Sequence, residues 1–440
     1  MNYLIRNATI VNEGKIYQAS VLIENNIIKK ITNPHKFIKT NAEVINAIGL
    51  LLLPGIIDSH VHFRDPGFTY KGDIESESKA AVAGGVTSFI DMPNTLPQTT
   101  SEENLDLKLN LAKNKSWANY GFMVGATNSN TKELLAIPEN KYAGIKLFLG
   151  SSTGDMLVNN EDAISHLFKN AKKTIVAHCE DEEIIKANTE RIKKEYGDNP
   201  PPFCHPLIRT AEACYTSTLK AVEYAQQGNA HLHIAHLTTK KELELLQKNK
   251  YKNVSAEVCV NHLWFDESDY DTLGNKIKCN PAIKTSDDRE ALIEGVKTPA
   301  IHTIATDHAP HTLEEKSQPY FSAPSGIPCI QFSLQMMLEL YQRGVIPLET
   351  IVEKMCHNPA RLFGIEKRGF VKEGYFADLV LVDINSPVEI TEKNIFYKSN
   401  WSPLEGSVFK STVKTTFVNG NMVFNNGEFF EPNGEMITYS

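Results

Sequence analysis

The stretch Leu51-Leu-Leu-Pro-Gly-Ile-Ile-Asp-Ser-His60-Val-His62 is an apolar, strand-like run that ends in residues able to bind a metal or a proton. The same texture recurs seven more times, at 87–94, 118–126, 144–150, 174–180, 231–237, 254–262 and 302–311. Amphipathic stretches with helical spacing separate these runs, for example 74–83, 161–169, 181–196, 211–226 and 240–250. Strand and helix in alternation predict a parallel sheet. Eight repeats in about 260 residues match the size of a (β/α)₈ barrel better than that of an open α/β sheet.

Outside this region the texture changes. Short β-branched runs punctuated by Asn, Gly and Pro fill the segment from Tyr3 to Leu53, and they return after Gly364 in Gly374-Tyr-Phe-Ala-Asp-Leu-Val-Leu-Val-Asp383, 413–419 and 422–424. Neither end has enough strands to bury a face alone. The expectation is an α/β chain: a TIM barrel over 54–364 and a small β-sandwich domain that residues 1–53 and 365–440 build together.

The polar residues of the barrel runs gather at the C-terminal ends, where barrels of this kind place their active sites. In an extended strand, residues two apart point to one side, so His60 and His62 can aim both imidazoles into one barrel mouth, a geometry that suits zinc. Other runs end in His178, His236 and Asp307, and each adds a donor. Lys146 lies within the fourth run, Gly144-Ile-Lys-Leu-Phe148. A lysine in an apolar strand is costly unless paired or modified. Between two metal ions an ammonium would be repelled, whereas a lysine carbamate would be an anionic bridge. Asp155, in the loop that follows, is the alternative carboxylate; Lys146 is preferred because it lies on the strand itself. That Gly/Ser/Thr loop lacks the lysine and spacing of a P-loop.

Taken together, His60-Val-His62-Phe-Arg64-Asp-Pro-Gly, Asp91-Met-Pro-Asn94, Gly144-Ile-Lys146, His178, Ala235-His236, Cys279-Asn280-Pro and Thr306-Asp307-His-Ala-Pro-His311 resemble the dihydroorotases of the amidohydrolase superfamily. The likeness extends through His357-Asn-Pro-Ala-Arg-Leu-Phe-Gly364 and Gly374-Tyr-Phe-Ala-Asp-Leu-Val, so it covers nearly the whole chain. It implies two Zn²⁺ ions: His60, His62 and Asp307 on one, His178 and His236 on the other, with N6-carboxylated Lys146 and a hydroxide as bridges. It also implies that Asp307 moves the proton in a reversible conversion of N-carbamoyl-L-aspartate to L-dihydroorotate, the third step of de novo pyrimidine synthesis.

Substrate contacts follow from the neighbours of the ligand set. Arg64, two residues past His62, offers a fork suited to a carboxylate; the plainer alternative is an ion pair with Asp65 or Glu75. By the resemblance Asn94 and His311 join Arg64 near the carboxylate, and Asn280 lies near the ring. Ser325 and Gly326 belong to a segment that resembles the loop whose backbone meets the ring, although a bulkier residue is expected where Ser325 stands. Allantoinases and hydantoinases share the metal site but need no partner for a carboxylate. A catalytically dead assembly partner is disfavoured because every metal ligand is retained.

Composition excludes other classes. The chain has 440 residues, 41% hydrophobic and 22% charged, with a formal charge of −8. These values are globular and offer no basic surface for nucleic acid or anionic membrane. The longest apolar stretch, 48–57, is about half a membrane span and is broken by Pro54-Gly55. Seven cysteines without framework spacing fit reduced thiols in a cytoplasm, and Cys179 and Cys279 read as packing. A homodimer is the default assembly. His233, an odd number of positions from His236, is expected to face the packing between barrel and helices. His308 is expected to orient its loop. His35, His166, His205, His231, His262, His302 and His357 are read as surface or structural. Residues 314–326 are the expected mobile loop over the substrate.

Overall fold

The computed structural model describes every residue of the chain except 35, 37, 151–155 and 250. The N-terminal segment forms five strands, β1 (Tyr3–Asn12), β2 (Lys15–Glu24), β3 (Ile27–Thr32), β4 (Glu43–Asn46) and β5 (Leu51–Pro54). The barrel strands are β6 (Ile56–Val61), β7 (Val86–Asp91), β8 (Asn119–Gly125), β9 (Gly144–Phe148), β10 (Ile175–His178), β11 (Leu232–Ile234), β12 (Val254–Cys259) and β13 (Thr303–Ala305). The chain then adds β14 (Leu379–Asp383), β15 (Val388–Glu389), β16 (Val408–Phe409), β17 (Thr412–Val418), β18 (Asn421–Asn425) and β19 (Glu428–Phe429).

Strands β6 to β13 are hydrogen-bonded in sequence order as one eight-stranded sheet, and their ladders are parallel. The last strand returns to the first: a bridge joins Val61 to His308, and the His62 amide donates to the His308 carbonyl at 2.8 Å. This closes a (β/α)₈ barrel. Strands such as β7 are buried at every position, as expected for a parallel sheet covered by helices on its outer face. Helix Ile74–Ala83 begins where the Asp73 carboxylate accepts from the Ser76 amide, completing a capping box.

The opening stretch is two strands rather than one. Leu51–Pro54 pairs with β1 and β14 in the terminal sheet, whereas Ile56–Val61 begins the barrel. Gly55 makes the hinge, for a Cβ there would lie 2.0 Å from Thr87 Oγ1. Strands from both ends of the chain form one nine-stranded sheet in the order β19-β18-β17-β14-β5-β1-β2-β3, with β4 on β1. Ile5, Ile10, Val21, Ile23, Leu52, Leu379, Leu381 and Phe417 share one buried cluster, so its two halves face a common core. Below the ligand-bearing strand ends, Phe363, Ile365, Ile437 and Tyr439 pack with Ile57, Ile90, Met123 and Val176. No described helix is long and apolar enough to cross a membrane.

Candidate metal centre

His60 and His62 leave β6 side by side, and each has its outer ring nitrogen occupied. His60 Nδ1 lies 2.7 Å from Glu257 Oε1, and His62 Nδ1 lies 2.7 Å from Asn94 Oδ1. Those oxygens only accept, so both rings carry their proton on Nδ1 and direct the Nε2 lone pair inward. The two Nε2 atoms face Asp307 Oδ1, at 3.5 Å from His60 and 3.0 Å from His62. Three acceptors pointed at one another repel unless a cation lies among them. Ligand atoms of His60, His62 and Asp307 all fall within 4.8 Å of one another. This donor set fits a divalent metal of the zinc type.

The electrostatics agree. Burial disfavours the charge of Asp307, and positive charge at the His60 and His62 nitrogens facing it brings its carboxyl well below the usual range; with both rings neutral, that charge has to come from a cation. Burial holds the His62 imidazole down to about 4, so it stays neutral and able to ligate. Glu257 is buried, but His60 keeps its carboxyl low.

A second pair stands beside the first. His178, at the end of β10, has Nδ1 2.9 Å from His236 Nε2. Its Nε2 lies 3.0 Å from Glu180 Oε2, which places the His178 lone pair on Nδ1, toward His236. Glu180 is buried and paired with Arg209, which with His178 holds its carboxyl down to about 2 despite the burial. His236 Nδ1 is buried and has no hydrogen-bond partner among the described residues. Lys146 is fully buried on β9 with Nζ 3.4 Å from His60 Nε2. It joins no ion pair among the described residues, and burial lowers its pKa. Asp155 lies outside the described residues.

Backbone strain marks the same place. Most non-glycine residues with positive φ are asparagines; of the other five, Arg64 (68°), His236 (38°) and Asp307 (49°) belong to this site and Glu13 and Lys367 do not. Left-handed backbone at such residues costs about 1–3 kcal/mol each and is retained where a site needs it.

A small pocket of about 20 Å³ opens over these groups, lined by both histidine pairs, Lys146, Phe148, Asp307, Asn280, Ser325 and Gly326. Asn280 Oδ1 is buried with no hydrogen-bond partner among the described residues. Gly326 takes φ of 149°, and a Cβ there would lie 2.4 Å from the Ala309 carbonyl oxygen. Arg64, Asn94 and His311 are not part of this lining. They stand one contact behind it, Asn94 through His62 and His311 through the Ser325 carbonyl at 3.1 Å. Arg64 bonds the Pro310 carbonyl through Nε at 3.1 Å and meets His311 Nε2 at 3.0 Å; its ion pairing with Asp65 or Glu75 is not among the described ion pairs.

One expectation from the sequence needs correction. His233 does not face the outer helices: its ring bonds Ser255 Oγ at 2.7 Å and Thr303 Oγ1 at 3.1 Å and lies 3.9 Å from Glu257. The alternation argument fails because β11 ends at Ile234 and the left-handed His236 turns its side chain. Residues 314–326, the expected loop over the substrate, are joined to the segment at Lys278 by two lysines. Lys316 Nζ donates to the carbonyls of Lys278, Pro324 and Gly326 at 2.9–3.0 Å, and Lys278 Nζ to those of Tyr320 and Ala323 at 2.6 Å.

His308, expected to orient its loop, bonds Glu77 at 2.8 Å and accepts from the Cys329 amide at 3.0 Å. Burial pushes the Cys179 and Cys279 thiols up to about 12, which removes them as nucleophiles. His35 lies outside the described residues. Sequence reasoning missed Glu257 and Glu180. A carboxylate in the apolar run Val-Ser-Ala-Glu-Val-Cys259 was the signal for the first, because a buried charge requires a partner.

With fold and site in view, the class is plain: residues 51–423 match the amidohydrolase family model, and the chain belongs to that family. It is similar over nearly its whole length to curated dihydroorotases. The protein from Pyrococcus furiosus is 35% identical over 432 residues, covering 97% of this chain and 91% of its own. That from Methanosphaera stadtmanae is 30% identical over 438 residues, covering 99% of both. Among solved structures, the L-hydantoinase (dihydropyrimidinase) of Arthrobacter aurescens superposes with a TM-score of 0.93 over 99% of both chains at 24% identity, a likeness of fold.

Proposed function

We propose that this chain catalyses the reversible, metal-dependent cyclisation of N-carbamoyl-L-aspartate to L-dihydroorotate, the third step of pyrimidine synthesis, in the cytoplasm. The observation that carries it is full-length likeness to dihydroorotases in a chain whose His60–His62–Asp307 cluster is built for a divalent cation. His60, His62 and Asp307 would hold one zinc and His178 and His236 a second. Lys146, buried and with a lowered pKa, is suited to carboxylation, since the neutral amine is the form that takes up carbon dioxide; as a carbamate it would join the two sites. Metals held by these residues would supply the Lewis acidity that acidifies water and polarises a ring carbonyl.

The chain's own residues do the rest. Asp307 lines the pocket, with its carboxyl well below the usual range. It accepts the proton of the attacking water and delivers it to the leaving ring nitrogen, or the reverse in cyclisation. Arg64 and His311, one contact behind the lining, would serve as donors to a substrate carboxylate that reaches past the Ser325 carbonyl, and Asn280, Ser325 and the Gly326 backbone would border the ring. A buried guanidinium left without its carboxylate costs roughly 3–5 kcal/mol, which disfavours neutral rings such as hydantoin. Turnover of dihydroorotate, allantoin and hydantoin, with metal analysis of the same sample, tests this reading. Dihydroorotate activity with two zinc equivalents is expected; activity on allantoin alone would overturn it.

A further inference from the structure

His311 is buried between four polar neighbours, and their chemistry constrains where its proton lies. Nε2 has the Arg64 guanidinium nitrogen at 3.0 Å and the Ser325 carbonyl at 3.1 Å. Nδ1 has Lys71 Nζ at 3.1 Å and Glu315 Oε2 at 3.6 Å. Arg64 and Lys71 can only donate; the carbonyl and the carboxylate can only accept. Burial, together with Arg64 and Lys71, holds the ring well below its ordinary pKa. It is therefore neutral, with one N–H and one lone pair.

With the proton on Nε2, the ring donates to Ser325 and accepts from Lys71, two bonds at hydrogen-bond distance. With the proton on Nδ1, it accepts from Arg64 but turns an N–H toward the Lys71 ammonium, and Glu315 at 3.6 Å is out of hydrogen-bond range. Each arrangement sets one donor against another, Arg64 against Nε2–H in the first and Lys71 against Nδ1–H in the second, and the first makes one more bond. Lys71 is itself fixed beside the ring. It is 8% exposed, and Glu315 Oε1, bonded to the Tyr70 hydroxyl at 2.9 Å, lies 3.1 Å from its Nζ.

We propose that Lys71 is a positioning residue that fixes His311 as the Nε2–H tautomer, so that His311 holds the Ser325 carbonyl and leaves the Arg64 nitrogen, without an acceptor on the ring, to a carboxylate. In this tautomer the Arg64 nitrogen has no acceptor on His311. Its N–H is then the donor left to pair with a carboxylate oxygen. Lys71 does not itself contact the pocket. The assignment of that carboxylate to dihydroorotate rests on the function proposed above; the tautomer does not.

Nitrogen-15 NMR of the full-length protein labelled at histidine tests it, the His311 signals being those that vanish in His311→Gln. The expected wild-type spectrum has a pyridine-like Nδ1 and a pyrrole-like Nε2, and Lys71→Met shifts both toward the other tautomer. A pyrrole-like Nδ1 in wild type overturns the proposal without any variant; so does an unchanged tautomer in folded Lys71→Met. In kinetics, Lys71→Met should raise KM for dihydroorotate about tenfold while kcat falls far less. Lys71→Arg should restore part of the loss, and Lys71→Met should add nothing to His311→Gln. Additive losses overturn the proposal. An Nε2–H wild type that moves with Lys71 but does not turn over dihydroorotate would sustain it while removing the substrate assignment.

Discussion

The two histidine pairs reach the same pocket by different routes. His60 and His62 are two residues apart on one strand, and strand periodicity alone turns them to one side. His178 and His236 are 58 residues apart and meet only because β10 and β11 are neighbours in the barrel. Their support differs as well. Both outer nitrogens of the first pair are bonded, to Glu257 and Asn94. In the second pair Glu180 holds His178, whereas His236 relies on a left-handed backbone and an amide 3.4 Å from Glu257 Oε1. A locally encoded pair thus anchors the centre, and a pair assembled over long range completes it.

The largest test of that contrast is metal removal. Exhaustive chelation should abolish turnover, and zinc should restore it; graded chelation should take the metal of the second pair first. Metal analysis checks this through variants, His236→Ala retaining about one equivalent and His60→Ala close to none. Equal retention in both would erase the difference between the pairs. Next in size, Asp307→Asn should lower kcat by about 10³-fold at matched metal content, within the range of a lost general acid–base. A rate near wild type would remove Asp307 from proton transfer.

Smaller effects separate the supports. Glu257→Gln and Glu180→Gln should each weaken metal binding by about 10–100-fold. Glu257→Gln is expected to have the larger effect because Glu257 touches both pairs, His60 through its ring and His236 through its amide. Competition with a chelator of known affinity measures both. The smallest effect concerns acid stability of the metal-free protein. Burial holds His233 at about 3 and His262 at about 4, against an ordinary 6.5. As pH falls from about 6.5 to 4 the unfolded chain takes up protons that the folded chain refuses. Stability should therefore fall, by about 1.4 kcal/mol per pH unit for each group. Asp58, raised to about 7 by burial, acts in the opposite sense over the same range. Denaturant midpoints at pH 4.5 and 6.5 measure the net slope, which is expected to be positive.

Much of this was legible in the residues themselves. The eight apolar runs and their polar ends announced the barrel, since burial on both faces demands continuous apolar strands and the open end of the barrel gathers the polar residues. The ligand-type residues His60, His62, His178, His236 and Asp307 stood out for the same reason. Less legible were features that depend on a neighbour far along the chain. Gly55 divides the opening run because Thr87 crowds it, and nothing near Gly55 in sequence says so. His233 turned inward because its strand ended sooner than alternation assumed.

By itself, then, the sequence determined the class of fold and the chemical character of one barrel mouth, because hydrophobic period and residue type act locally. The tertiary structure alone decided which nitrogen of each histidine faces the centre, which carboxylates stand behind them, and that Lys71, Glu315 and Arg64 surround one imidazole. Those outcomes are set by hydrogen-bond partners from other strands and loops, and only the closed barrel brings them within 3 Å or so of one another.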